Sequence, residues 1–481
     1  MSQDGATVGR ATRELKQHFP RAGWVEHDAI EIWDTVLSAV AGAVAAAGLT
    51  GRDIGCVGLT NQRETTLLWQ RDTGQPVHRA IVWQDRRTAD ECQRLHQGGH
   101  ADEVRRVTGL VLDPYFSGTK LSWLLEHVPE ARARAESGDL CFGTVDSYLV
   151  YRLAGGGSSA PHVTDVTNAS RTLLMDLEAL AWSPSMCELL SVPTAVLPRI
   201  VPSSGVAATT RGVPGLPDGI PIAGIAGDQH AALFGQACLA VGDAKCTYGT
   251  GAFLLVNVGP KPVPSRFGLL STLGFQVGEE VVYALEGSVF IAGAAVQWLR
   301  DGLGIIQSAQ EIEALARSVP DSDGVSFVPA LSGLGAPHWD PGARGLVSGI
   351  TRGTTRAHLA RATLDAIALS VNDVVQAMRD DLGRPIDLLR VDGGAAANDL
   401  LMELQAGLSG LRVERPIDLE STARGAAMLA GLGAGLYSSG AEAAKIVKLD
   451  RSFPANMLED ERARRLAAWN DAVGRARSAL A

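Results

Sequence analysis

Asp228-Gln229 lies in Gly224–Gly235, GIAGDQHAALFG, between a small apolar run and an apolar helix start. An aspartate at a strand end beside a domain boundary is placed to act as a general base. The plainer reading of Asp228 is a helix N-cap. Asn61-Gln62-Arg63-Glu64-Thr65 is a wholly polar stretch between two apolar runs. Adjacent Arg63 and Glu64 offer fixed donors beside an acceptor, an arrangement suited to a polyhydroxy ligand. The alternative is a solvated turn whose ion pair contributes little. Two glycine turns add a second kind of chemistry. Lys245–Val258 reads as a hairpin turning at Tyr248-Gly249-Thr250-Gly251, and Leu388–Ala397 as an apolar strand ending in Asp392-Gly393-Gly394. Glycine lets the backbone approach a phosphate, and a following helix start offers free N–H groups. Each turn alone is weak evidence; two in one half of the chain are more suggestive.

Other candidates carry less. His96 and His100 have the spacing of a metal pair, but Gly98-Gly99 lies between them and no third ligand is evident, which favours a solvated loop. Trp83 taken alone reads as core. The sequence has no GxSxG elbow and no CxxC, and its six cysteines are widely dispersed, as expected of reduced thiols.

Elements to position these residues are readable by pattern. A helix is expected over 28–49, capped by Asp28, with Ile30, Trp33, Val36, Leu37, Val40 and Val44 at helical spacing. Strands are expected at Ile54–Thr60, before the turn Arg71–Gly74, and at Ile81–Trp83, with a helix from Thr88 to His96. Asp4-Gly5 reads as a hairpin turn leading into a strand over Ala6–Arg10. Gly155–Ser159 reads as a loop tip, and Asn398–Leu408 as a helix. Strands alternating with helices make the class α/β. A boundary near 235–244 divides the chain into 1–236 and 237–481, each of ordinary domain size.

With 481 residues, 46% of them apolar, and a formal charge of −10, the chain is a globular protein with no basic face for nucleic acid or anionic membrane. Only six of its 43 basic residues are lysines, and none follows a glycine, so a Walker-type phosphate loop is excluded. The N-terminus lacks a secretory pattern and no uncharged apolar run reaches about 18 residues, so the expectation is a soluble, cytoplasmic protein.

Taken together, NQRETT (61–66), IVWQDRRT (81–88), DPYFSGTK (113–120), HVTDVTNASRTLL (162–174), GIAGDQHAALFGQ (224–236), TYGTGAF (247–253), GLGAPHWDPGARG (333–345), TRGT (351–354) and VDGGAAAN (391–398) strongly resemble the glycerol kinases of the FGGY carbohydrate kinases. The resemblance implies two actin-like (ribonuclease H-like) ATPase domains around a cleft, a polyol-binding first half and a nucleotide-binding second half. It implies ATP-dependent phosphorylation of glycerol to sn-glycerol 3-phosphate with Mg²⁺. Hydroxyls would be bound by Arg63, Glu64, Tyr115, Asp228 and Gln229, and the carbon chain flanked by Trp83 and Phe253. Asp228 would be the base; Thr250, Gly251, Gly293, Gln297, Gly394 and Asn398 would hold the nucleotide. It leaves the metal ligands unassigned and makes a homo-oligomer conceivable.

One departure matters. Family members begin with a hairpin bearing Asp-x-Gly-Thr-Thr-Ser, which wraps the phosphates; the sequence as given has no such motif, and Met1–Gly5 lines up with the turn after that hairpin's second strand. Three expectations follow: an active kinase with a start recorded downstream of the true one, a truncated and nearly inactive enzyme, or a polyol- and nucleotide-binding relative without turnover. Another FGGY sugar kinase is a further alternative. Persistence of Asp228, Arg63-Glu64 and Thr250 favours the first. Thr210–Ile220 lacks the pattern for sugar-bisphosphate inhibition and the segment after Leu269 lacks a phosphorylatable histidine, so neither control is expected.

Overall fold

A computed structural model describes residues 1–478. Its spine is a mixed sheet of ten strands: β1 (Val57–Asn61), β2 (Ser204–Thr209), β3 (Pro221–Gly227), β4 (Ala244–Tyr248), β5 (Ala252–Gly259), β6 (Leu270–Val277), β7 (Glu280–Val289), β8 (Leu388–Asp392), β9 (Arg412–Pro416) and β10 (Leu449–Phe453). They lie side by side in the order β1-β3-β2-β6-β7-β5-β4-β8-β9-β10. Pairing is parallel for β1/β3, β4/β8 and β8/β9, and antiparallel within the β4-β5-β7-β6 meander. The two sets of strands meet at β2 and β6, joined through the single pair Ser204–Val277. Strands β3 to β7 are buried over most of their length, as the continuous apolar runs of a sheet covered on both faces require.

The helices that matter for the site are α1 (Ala29–Ala46), α2 (Asp228–Gly235), α3 (Gly293–Gln297), α4 (Arg356–Leu382), α5 (Asp399–Ser409) and α6 (Ser421–Gly433). Asp28 caps α1 by accepting from the Ile30 and Glu31 amides, as its position before the apolar periodicity predicts. Ile32 and Trp33 turn inward to a core with Leu67, Trp69 and Ile222. A second core under Leu68, Ile81, Phe116 and Phe142 completes the first half. The largest core lies along α4 and the strands β4–β8. A separate cluster, Ala226, Leu233, Phe234, Phe275, Met428 and Leu429, lies where α2 and α6 cross the junction.

Most predicted elements recur with their ends shifted by one to three residues. The helix over 88–96 spans Ala89–Gln97, and the strand at 81–83 spans Ala80–Ile81. The expected strand Ala6–Arg10 is absent. Ser2 and Gly5 close a tight turn, but residues 6–16 run without ladder bonds. They are held instead by side chains, Thr7 Oγ1 on Asp418 at 3.1 Å and Arg10 Nη2 on Glu420 at 2.7 Å, with Gly9 against the Ala43 carbonyl of α1. With no neighbouring strand to pair with, an extended segment makes no sheet.

Candidate active site

The polar stretch after β1 is a strained loop. Glu64 holds φ 60°, a left-handed conformation uncommon for a residue with a side chain. Such a residue costs about 1–3 kcal/mol and persists only where its surroundings fix it. Here Ser117 Oγ donates to the Glu64 carbonyl at 3.1 Å and Thr66 Oγ1 donates to it at 3.0 Å. Asn61 exchanges amide hydrogen bonds with Asn168 at 3.0 and 3.2 Å, which ties the loop to the 162–174 segment.

Arg63 and Glu64 are buried, so the solvated-turn alternative is wrong. The Arg63 guanidinium donates through Nη1 and Nη2 to Glu286 of β7, through Nη2 also to the Tyr115 hydroxyl at 3.3 Å, and its Nε lies 3.1 Å from Asp228 Oδ1. Arg171 donates from Nε to Glu64 at 2.7 Å and from Nη2 to Glu286 at 2.9 Å. Two guanidiniums and two carboxylates thus form a closed, buried ring that fixes the rotamers facing the cleft. Burial pushes the Glu286 carboxyl up, but Arg171 and Arg63 outweigh it and hold the group at about 2. Burial raises Glu64, with the same arginines opposing. The Tyr115 hydroxyl is raised by burial and by Glu64, so it stays a neutral donor. Lys120 fixes the Tyr115 backbone, donating to the Pro114 and Tyr115 carbonyls at 3.0 and 2.5 Å, and burial brings its ammonium down to about 8.

Asp228 opens α2 as its first residue; the N-cap is Gly227. Its Oδ1 accepts from the Gln229 amide at 2.7 Å and faces Arg63, while about a third of the side chain stays exposed. Arg63, Glu64, Trp83, Tyr115, Asp228, Gln229 and Phe253, the seven predicted for substrate, line one cavity together with Gln62. Trp83 meets the Tyr115 ring edge-on at 5.7 Å. The cavity volume of about 50 Å³ corresponds to roughly three or four water positions.

The nucleotide candidates fall in two groups on neighbouring strand ends. The β4–β5 turn presents Thr250 and Gly251, and the start of α3 folds over it: the Ala292 and Ala294 amides donate to the Thr250 carbonyl and Gly293 N to the Gly249 carbonyl, at 2.9–3.0 Å. A Cβ on Gly293 would stand 2.6 Å from that carbonyl. Gln297 closes α3. Beside β4, strand β8 ends in Asp392, and Gly393 (φ 85°) passes so near the Tyr248 carbonyl that a Cβ would meet it at 2.5 Å. Gly394 opens the short turn before α5, and Asn398 caps α5 through Leu401 N at 2.9 Å. The side-chain oxygen of Asn398 is therefore committed to the helix. Both turns lie at the carboxyl ends of parallel strands, where open α/β sheets bind ligands.

Among the described residues no group of three or more His, Cys, Asp and Glu side chains has metal-site geometry. Sequence reasoning missed Arg171, Glu286 and Lys245. Arg171 sits within a segment singled out by resemblance, but Glu286 and Lys245 lie in apolar strands where only a charge at a buried alternation position hints at them.

Comparison with known proteins shows the family. Residues 1–235 match the model for the FGGY family of carbohydrate kinases, N-terminal domain, and residues 244–434 that for its C-terminal domain. The glycerol kinase of Myxococcus xanthus is 58% identical over 98% of this chain and 94% of its own length. That of Aromatoleum aromaticum is 56% identical over the whole chain and 96% of its length. The crystal structure of Plasmodium falciparum glycerol kinase with ADP superposes with a TM-score of 0.90 at 34% identity, covering 97% of this chain and 93% of that one. A ligand-bound xylulose kinase from Lactobacillus acidophilus shares the fold, with a TM-score of 0.85 at 20% identity over 98% of this chain and 93% of that one.

Proposed function

The chain belongs to the FGGY family of carbohydrate kinases, and we propose that it transfers the γ-phosphoryl group of ATP to a terminal hydroxyl of glycerol, giving sn-glycerol 3-phosphate. The observation that carries this reading is the convergence of seven polar and aromatic side chains on a space sized for one triol, beside two glycine turns. Arg63, Glu64, Tyr115 and Gln229 supply donors and acceptors for hydroxyls, while Trp83 and Phe253 supply apolar walls for the CH faces. The Asp228 oxygen turned away from Arg63, Oδ2, accepts the proton of the attacking hydroxyl, with Arg63 holding the carboxylate in place. Backbone N–H groups of Thr250 and Gly251 meet the phosphates, with Gly293, Gln297, Gly394 and Asn398 holding the rest of the nucleotide. Positioning and charge stabilisation do most of the work in phosphoryl transfer, which a rigid acceptor pocket between two halves, 1–236 and 237–481, serves well.

Mg²⁺ accompanies the nucleotide in this proposal. Such an ion needs one or two carboxylates besides phosphate oxygens, and Asp228 is the part-exposed carboxylate of the cavity wall, so the residues fit. Bound there, the ion would neutralise charge on the phosphates. The reading also places the enzyme in the cytoplasm as a soluble catalyst of glycerol catabolism, with homo-oligomers open. The test is glycerol-dependent formation of ADP by the 481-residue chain, with the product identified as glycerol 3-phosphate. Turnover with a pentulose but not with glycerol would replace this reading by another sugar kinase. A folded chain that binds glycerol and ADP without transfer would make it a binding protein.

A further inference from the structure

Lys245 is wholly buried in β4, a site where an ammonium is costly unless it is fully engaged. Its Nζ donates to the Gln229 side-chain carbonyl, to Thr247 Oγ1 at 3.0 Å and to the Phe253 carbonyl at 3.3 Å. Three donors thus meet three acceptors, each belonging to a different part of the site. Gln229 and Phe253 line the acceptor cavity. Thr247 is paired in register with Asp392, the residue just before Gly393-Gly394, and Lys245 favours the Asp392 carboxylate through its charge. Asp392 in turn accepts from Gln236 of the first half at 3.0 Å.

The consequence for Gln229 is directional. An amide whose oxygen is taken by a cation can offer only its NH₂ elsewhere. Gln229 Nε2 indeed points to Asp228 Oδ2, 3.5 Å away, at the cavity. Without the lysine the amide is free to flip and present its oxygen to the acceptor, beside a carboxylate that also needs donors.

We propose that Lys245 is a positioning residue that commits Gln229 to act as a hydrogen-bond donor in the acceptor pocket and, through Thr247 and Asp392, ties that pocket to the nucleotide turn. It touches neither substrate itself. The inference rests on the glycerol and ATP assignment above. Burial lowers the Lys245 ammonium, with Asp392 opposing, as a group with carboxylate partners only partly compensating its desolvation would show.

The experiment is calorimetric titration with glycerol and, separately, ADP, on the full chain and on K245M, Q229L and the double variant. Loss of one oriented hydrogen bond predicts glycerol binding weaker by about tenfold in K245M. In the Q229L background the same change should alter glycerol binding by less than about twofold, because the effects are not independent. ADP binding should weaken in K245M and stay near wild type in Q229L. Equal glycerol losses in both backgrounds would overturn the proposal, as would a K245M protein that binds both ligands normally. Should K245M fail to melt cooperatively, Q229E decides: it keeps an acceptor for Lys245 but has no NH₂ to offer, so glycerol binding should fall with melting temperature maintained. Unchanged glycerol binding in Q229E would refute the donor role. Binding is read without turnover, so a protein that binds both ligands but transfers nothing sinks the kinase assignment while the cycle still tests Lys245. A protein that binds neither sinks both.

Discussion

Asp228 is the residue on which the proposed chemistry turns, and its surroundings separate its two duties. Oδ1 is engaged with Arg63 and the Gln229 backbone amide, which holds the carboxylate; Oδ2, with only the Gln229 side-chain amide 3.5 Å away, faces the incoming hydroxyl. Asp228→Asn retains shape and loses the base, so kcat should fall by about 10²–10⁴ while glycerol still binds. Comparable losses in glycerol affinity and kcat, read by calorimetry beside the coupled assay, would make Asp228 a binding group only. A buried carboxyl that does not line the cavity sets a pH dependence of stability. Asp146 accepts from Thr144 and from Thr164 at 2.8 Å, and burial, reinforced by Asp165, raises it to about 7 from the 3.8 of an exposed aspartate. Since its folded value is raised, its contribution is fully present below about pH 4 and is lost as pH rises through about 7. The loss is at most about 4 kcal/mol. Urea unfolding should therefore show Asp146→Asn gaining on wild type between pH 5 and 8. A gap constant across that window would disprove the assignment.

At the scale of elements, the β4–β5 turn proposed to meet phosphate is held by contacts that leave no room for a side chain. Gly293 lies under the Gly249 carbonyl with 2.6 Å available to a Cβ, so Gly293→Ala must push α3 off the β4–β5 turn. A displacement near 1 Å is worth about a hundredfold in a positioned reaction. The KM for ATP should rise by about tenfold or more, with the KM for glycerol within about twofold, because the acceptor cavity is built from other elements. Equal changes in both would refute the separation. The same elements show what the sequence displayed. The β4–β5 hairpin, β8 with its Gly393-Gly394 turn, α1 and α2 were legible because each is local: alternation or helical spacing, closed by a turn or cap residue. Residues 6–10 were misread as a strand because strand formation needs a partner that local pattern does not reveal. The Asp228 and Arg63-Glu64 ambiguities had the same origin. Deciding between a solvated turn and a buried ring required Glu286 and Arg171, which lie more than a hundred residues from Arg63.

For the molecule as a whole, the decisive feature is that the site is assembled across the junction of two strand sets joined by one backbone pair. Side chains do most of the joining. Glu286 of β7 receives Arg63 and Arg171, Lys245 of β4 reaches Gln229, and Asp392 of β8 accepts from Gln236. The apolar cluster around Leu233, Phe234, Phe275 and Met428 covers the same junction. Side chains proposed to bind substrate thus also join the two strand sets, and the two functions should fail together. Glu286→Ala leaves two buried guanidiniums without their shared partner, a loss of about 3–5 kcal/mol for a broken buried pair. That loss falls on the junction and spares the cores of either half. Calorimetry of the wild-type chain should show one cooperative transition, and Glu286→Ala should separate it into two, the first half melting earlier because its sheet has lost that bridge. Glycerol at saturation should draw the two transitions together again, since its ligands lie on both sides of the junction. A variant that melts in a single transition shifted only to lower temperature would show that the backbone junction and its apolar cluster, rather than the ionic ring, couple the halves.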